Sequence, residues 1–237
     1  MSTRREPTKS PRSVADQLLD GASALLASKG PEALKARAIA AASGMSSMVV
    51  YSHFGGVPEL LGALATRGFE DLVAAFAKVP ITDDPVFDLF ALALTSRAQA
   101  HRNPHLYDLM FGLSVRSSYR PGARLMRRSS AFRAAYSHMS AACVRLVQSK
   151  RVTAGAPGPL AAQLWSYVHG FVSLELAGHF REFDDPVTEV MLPLGVTFCV
   201  GLGDRVEAAR ASHVAALARF AEKPARRAKR APSARRH

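Results

Sequence analysis

The chain has 237 residues, 48% of them hydrophobic and 21% charged, a balance that excludes wholesale disorder and supports a sizeable core. Its two cysteines, Cys143 and Cys199, are too few for a disulfide scaffold, so a reducing compartment, the cytoplasm, is expected. Lysine and arginine exceed aspartate and glutamate by 12, an excess that points to a polyanionic partner.

That excess sits at the two ends. Residues 1–12 carry Arg4, Arg5, Lys9 and Arg12 against Glu6 alone. Residues 223–237 carry seven basic residues, Arg226, Arg227, Lys229 and Arg230 among them, and no acidic one. Both segments are rich in Pro, Ser, Ala and Arg and poor in large apolar residues, so residues 1–12 and 222–237 are expected to be disordered basic arms. Such arms either reach nucleic-acid phosphate or simply keep the chain soluble. The polar first segment lacks an apolar h-region, so no secretory signal is expected. Two uncharged runs, 152–174 and 190–203, are interrupted by Gly, Pro and polar residues and read as buried helices, with no membrane partner expected.

Helical periodicity governs the rest. Val14, Leu18, Ala22, Leu25 and Leu26 form one apolar stripe, with Ser13 as N-cap and Gly30-Pro31 as stop. Short helices are predicted over 35–43 and 46–54, then a longer one from Pro58 to Ala77 after Gly55-Gly56. Asp83 or Asp84 with Pro85 opens a helix to about His101, and Asn103-Pro104 opens another to Phe111. Further helices are predicted from Pro121 to Lys150, over 160–183, from Asp185-Pro186 with a kink at Pro193, and over 204–221. Residues 153–159 read as a loop, and nothing reads as a strand. The fold class is all-α: a three-helix head over 13–56, then a larger helical body over 57–221.

The stretch from Ile39 to Phe54 carries the chemistry. Ala40, Ala41 and Ala42 leave room for a second helix to cross, and Gly44 takes the positive φ of a tight helix–helix turn. Met45 and Val50 then plug the seam, and the start of the second helix points outward with small or polar side chains. This is the logic of a helix-turn-helix, whose second helix enters the major groove of double-stranded DNA. The chain holds no GxSxG, P-loop, GxGxxG or HExxH pattern, so no catalytic residue and no cofactor is expected. His101, His105 and Asp108 are divided by Pro104, and no metal site is expected there.

These residues resemble the TetR (tetracycline-repressor-like) transcriptional regulators. Their heads read I-A-x-x-A-G-V-S-x-x-x-[LIV]-Y-x-[HY]-F-x-x-[KR]-x-x-L, and Ile39, Ala40, Gly44, Met45, Ser46, Val50, Tyr51, His53, Phe54 and Leu60 match in order. The resemblance implies that Ser46, Ser47, Met48 and Val49 face base edges, that Tyr51 and His53 donate to phosphates, and that Arg37 is a backbone contact. Val57 departs from the family's phosphate-gripping cation, and Lys35 from its usual capping Thr. The second helix contains no Arg or Lys, and residues 13–56 carry three cations against three anions.

A weaker resemblance, of Asn103–Phe111 and Leu164–Gly170 to the Trp-His-Gly type of TetR C-terminal domain, implies a homodimer with a ligand cavity in each body. Trp165, His169 and Val172 lie along one helix face, and Met110 and Phe111 end a short helix; these are candidates to line a pocket for a small lipophilic effector, or ordinary core. The expected function is a sequence-specific, effector-responsive repressor; the alternative is a constitutive DNA-binding protein that relies on its basic tails.

Overall fold

The computed structural model describes residues 12–111, 129–153 and 155–221, and among these every regular element is helical. In chain order they are α1 (Val14–Lys29), α2 (Ala36–Ala42), α3 (Ser47–Phe54), α4 (Val57–Phe76), α5 (Pro85–Arg102), α6 (Pro104–Phe111), α7 (Ser130–Gln148), α8 (Pro157–Leu176), α9 (Leu192–Gly201) and α10 (Val206–Ala221). Among the described residues no helix is long and apolar enough to cross a membrane. The predicted stretch from Pro121 to residue 128 lies outside the described residues.

The starts follow the punctuation of the sequence. Ser13 caps α1 through a bond from the Asp16 amide, 3.0 Å long. The Asp84 carboxylate accepts the amides of Val86 and Phe87, capping α5, and Asn103 accepts the Leu106 amide at the start of α6. Three details go beyond or depart from the sequence reading. A 3-10 turn, Pro31–Ala33, intervenes before α2. The helix expected over 160–183 runs from Pro157 to Leu176, because proline suits a first helical turn and Gly178, at φ 82, follows the end. The kink expected at Pro193 is a π-helical turn, Val187–Met191, leading into α9, since Pro193 has no amide to continue a regular ladder.

The helices divide into two compact units. The first comprises the chain through Lys78, residues 96–138 and residues 172–179. Its core lies around α4, where Phe69 meets Phe111 and Phe132 edge-on at 5.5 and 5.4 Å between ring centres. α6 can lie this close because residue 68 is glycine: a Cβ there would stand 2.5 Å from the Met110 sulfur. Arg97 grips Glu175 through two nitrogens, at 2.8 and 2.7 Å, and His101 adds a third contact to the same carboxylate at 2.8 Å.

The second unit comprises residues 79–95, 139–171 and the chain from Phe180 on. Its ends are tied by Arg151, which reaches Asp84 at 2.6 Å, Ser212 at 2.9 Å and Asp204 at 2.7 Å. Ser212 closes the ring by donating to Asp84 at 2.5 Å. Nearby, buried Asp88 takes Arg145 at 2.9 Å together with the amide and hydroxyl of Thr82. Every carboxylate here has a donor, which is what makes burying it tolerable. Replacing Arg151 by Ala leaves Asp84 and Asp204 uncompensated and is expected to cost about 3 kcal/mol of stability. Urea denaturation checks this, with Arg151→Lys, which keeps the charge but loses the planar fork, falling between wild type and Ala.

Candidate nucleic-acid interface

The candidate interface is built on the first three helices. α1 and α2 approach at Gly21, where a Cβ would stand 2.2 Å from the Ser43 hydroxyl and 3.3 Å from the Ala42 carbonyl carbon. That hydroxyl lies 3.2 Å from the Gln17 carbonyl and 2.9 Å from the Ile39 carbonyl, bonding across the gap. Of the three alanines expected to receive a crossing helix, only Ala40 is buried; Ala41 and Ala42 are exposed, because the close approach falls on Gly21 and Ser43 instead.

The chain then reverses in a Schellman turn. The Met45 amide bonds to the Ala40 carbonyl at 2.8 Å, the Gly44 amide bonds to Ala41 at 3.1 Å, and Gly44 has φ 68. Ser46 follows in extended conformation as the N-cap of α3, but its side chain makes no capping bond and is exposed. α3 buries Val50 completely, and Gly55, at φ 84, closes it through a bond to Tyr51.

The opposite edge of α3 is open. Met48 is 71% exposed and Tyr51 53%, and Ser46, Ser47, Ser52 and His53 are exposed as well, with Val49 half-buried. Arg37 is exposed on α2, and Lys35 begins that helix without a side-chain capping bond. The edge therefore offers hydroxyls, a thioether and a half-buried isopropyl, with His53 in the last turn.

Arg12, at the base of the first basic segment, bonds to Asp20 at 2.9 Å, and Arg67 of α4 holds the other oxygen of that carboxylate at 2.7 Å. Arg4, Arg5, Lys9, Arg226, Arg227, Lys229 and Arg230 lie outside the described residues. Of the candidate effector residues, Met110 lies against Gly68, and Phe111 packs on Phe69 and Tyr107. Val172 is fully buried, and Trp165 meets the His169 ring at 4.3 Å between centres.

None of these five lines the apolar slot inside the second unit. That slot is bounded by Phe90, Met139, Leu164, Tyr167, Phe198 and His213 among others, and its interior is about 20 Å³. His213 was missed in the sequence; its only local signal was a histidine on the buried side of the last amphipathic helix.

Two glycine-turned helices with a solvent-facing second helix define a helix-turn-helix DNA-binding protein. Two family models place it further. The model for bacterial regulatory proteins of the tetR family matches residues 18–64, and that for the tetracyclin repressor-like C-terminal domain matches residues 89–193. The chain belongs to the TetR family of DNA-binding transcription regulators.

Solved structures share its fold. A protein of unknown function from Rhodococcus sp. RHA1 is 24% identical, with TM-score 0.67, over 84% of this chain and all of that one. RolR, solved in complex with resorcinol, is 15% identical with TM-score 0.60, over 84% of this chain and 92% of its own. The regulator PfmR from Thermus thermophilus is 21% identical with TM-score 0.54, over 87% of this chain and 97% of its own. No curated protein sequence matches.

Burial pushes the His169 imidazole down from 6.5 to about 3 and lowers His213 in the same direction. Each ring is therefore neutral in the folded chain at a pH where the unfolded chain takes up a proton. For His169 the associated stability is complete above pH 6.5 and is lost as pH falls toward 3, by up to about 1.4 kcal/mol per pH unit. Denaturation midpoints across that interval are expected to fall with acidification, and His169→Phe to flatten the fall.

Proposed function

We propose that this regulator is a homodimeric repressor of the cytoplasm, and that a small apolar effector releases it from its operator. The observation that carries the DNA half of the reading is the exposed, uncharged edge of α3 behind a Schellman turn. Ser46, Ser47, Met48 and Val49 meet base edges, with Met48 reading thymine methyl groups. Tyr51 and His53 donate to phosphates, and Arg37 adds a backbone contact from α2. Residues 13–56 form the DNA-binding domain and 57–221 the effector and dimerisation domain. The segments 1–12 and 222–237 supply the phosphate neutralisation that an electrically neutral head lacks.

Exposed apolar residues support a second copy as partner. Leu194 on α9 is 48% exposed, and Val206 and Val214 on α10 are 54% and 51% exposed, apolar side chains that a second copy would cover. Resorcinol in RolR is a precedent for a small-molecule effector in a chain of this fold. No catalytic role is assigned to any residue. Release follows if the effector binds more tightly to the state with lower DNA affinity, since only differential binding moves the equilibrium.

Gel shifts on the chain's own promoter test this. Tyr51→Phe combined with His53→Ala is expected to weaken binding to all duplexes alike, by about tenfold. Removing residues 1–12, or those after Glu222, is expected to flatten the dependence of log K on log salt concentration. An unchanged slope in both truncations rejects the arms as the grip, and unchanged affinity in the double variant rejects the docking of α3.

A further inference from the structure

The helix that faces DNA is aimed through a short lever. α2 has seven residues and α3 eight, too few for either to hold a helix alone, so both take their place from α1. The three helices pack on one another through apolar side chains, with Leu18, Ala22, Leu26, Ile39, Ala40 and Val50 all buried. Such contacts are non-directional: they favour closeness without fixing an angle.

One contact has a direction. The Ser43 hydroxyl lies 3.2 Å from the carbonyl oxygen of Gln17, four residues before Gly21 on α1. Among the described residues no other side chain of α2, its caps or α3 hydrogen-bonds to α1. The hydroxyl also stands 2.9 Å from the Ile39 carbonyl of its own helix, and the two acceptors share its one proton. Ile39 already accepts the Ser43 amide at 3.1 Å, so its oxygen is satisfied without the hydroxyl. What the hydroxyl adds is the crossing to α1.

Gly21 makes that crossing possible. A Cβ on residue 21 would fall 2.2 Å from the Ser43 oxygen, in the space the oxygen fills. The Ala42 carbonyl carbon and the Ser43 Cβ would each stand 3.3 Å away. An alanine there therefore evicts the hydroxyl and pushes on α2 besides.

The place of this bond in the chain gives it leverage. Ser43 is the C-cap of α2, Gly44 turns the chain at φ 68, and α3 begins at Ser47. A change in the angle of α2 is carried through that turn to Met48 and Tyr51 on the exposed edge. Contacts to base edges demand placement to about 0.5 Å, whereas cations on flexible arms meet phosphates from many directions.

We propose that Ser43 is a positioning residue for base recognition: its hydroxyl, held to Gln17 in the gap left by Gly21, sets the angle of α3 and governs discrimination between sequences without adding to the grip on DNA. The inference rests on the docking of α3 proposed above and deepens it by assigning selectivity to a residue that contacts no base. Ser43 acts through α3 alone.

Fluorescence anisotropy on the full-length protein tests this with two duplexes. One is the tightest binder that the wild-type protein recovers from a randomised library, and the other is a shuffled duplex of the same length and composition. Ser43→Ala is expected to weaken the selected duplex about fivefold, the worth of one hydrogen bond, and to leave the shuffled one unchanged. Gly21→Ala is expected to lose selectivity at least as far, because it evicts the same hydroxyl. The double variant should lose no more than Gly21→Ala alone, since both substitutions break one bond. A loss of stability without a change of aim would lower the active fraction and weaken both duplexes alike. If Ser43→Ala fails to fold, Ser43→Cys, of similar shape but with a weaker donor, replaces it. If Gly21→Ala fails to fold, the variant at position 43 decides alone.

Equal weakening of both duplexes, no weakening of the selected one, or losses that multiply in the double variant overturn the proposal. Each of those results, with the preference of the wild type intact, removes the role of Ser43 and leaves the docking of α3 standing. A wild-type protein that recovers no preferred duplex removes the docking itself, and the proposal with it.

Discussion

The aim of the DNA-reading helix depends on how closely α2 lies across α1, and that distance is set by a missing side chain. With glycine at position 21, the Ser43 hydroxyl comes within bonding distance of a carbonyl on each helix. Any larger residue would wedge the two apart and tilt everything that follows. Gly44 then turns the chain at once, and the completely buried Val50 seats α3 against the pair. The exposed edge from Ser46 to Tyr51 inherits its orientation from these contacts, since α3 is only eight residues long and has little stability of its own.

A neutral reading edge divides the work of binding. On the proposed docking, serine hydroxyls and a thioether distinguish bases by shape and by methyl groups, while the counterion release that dominates affinity needs cations from elsewhere. Within the first unit, Arg12 and Arg67 share the Asp20 carboxylate, so neither is wholly free to serve as a phosphate contact. On that proposal affinity and selectivity come from different parts of the chain, and each can change without the other.

Much of this was legible in the sequence because it is written in local signals. Ser13, Asp84, Asn103 and the prolines after them mark where helices start, and Gly44 with its flanking residues marks the turn. What escaped depends on partners distant in the chain. Gly21 looked like an ordinary small residue on an amphipathic stripe, and its role appears only when Ser43 is folded onto it. Arg151 was one basic residue among many until Asp84, Asp204 and Ser212 converged on it. His169 drew notice for its place beside Trp165, whereas the slot is lined by His213, whose ring packs against a glycine in a different helix. The π turn before Pro193 was likewise invisible, because a proline announces a break in the ladder without saying which form the break takes.

The ring of polar groups around Arg151 also bears on the order in which the polypeptide matures as it leaves the ribosome. Its members stand at positions 84, 151, 204 and 212, so the set is complete only when the last long helix has been synthesised. The segment from Val14 to Phe54, by contrast, contains all three helices of the turn and the glycines that shape it. The second unit must therefore wait with its ionic residues still hydrated until residue 212 emerges, whereas every residue of the turn itself has been made by position 54. Premature termination before residue 212 would leave the Asp84–Arg151–Asp204 set without its last member.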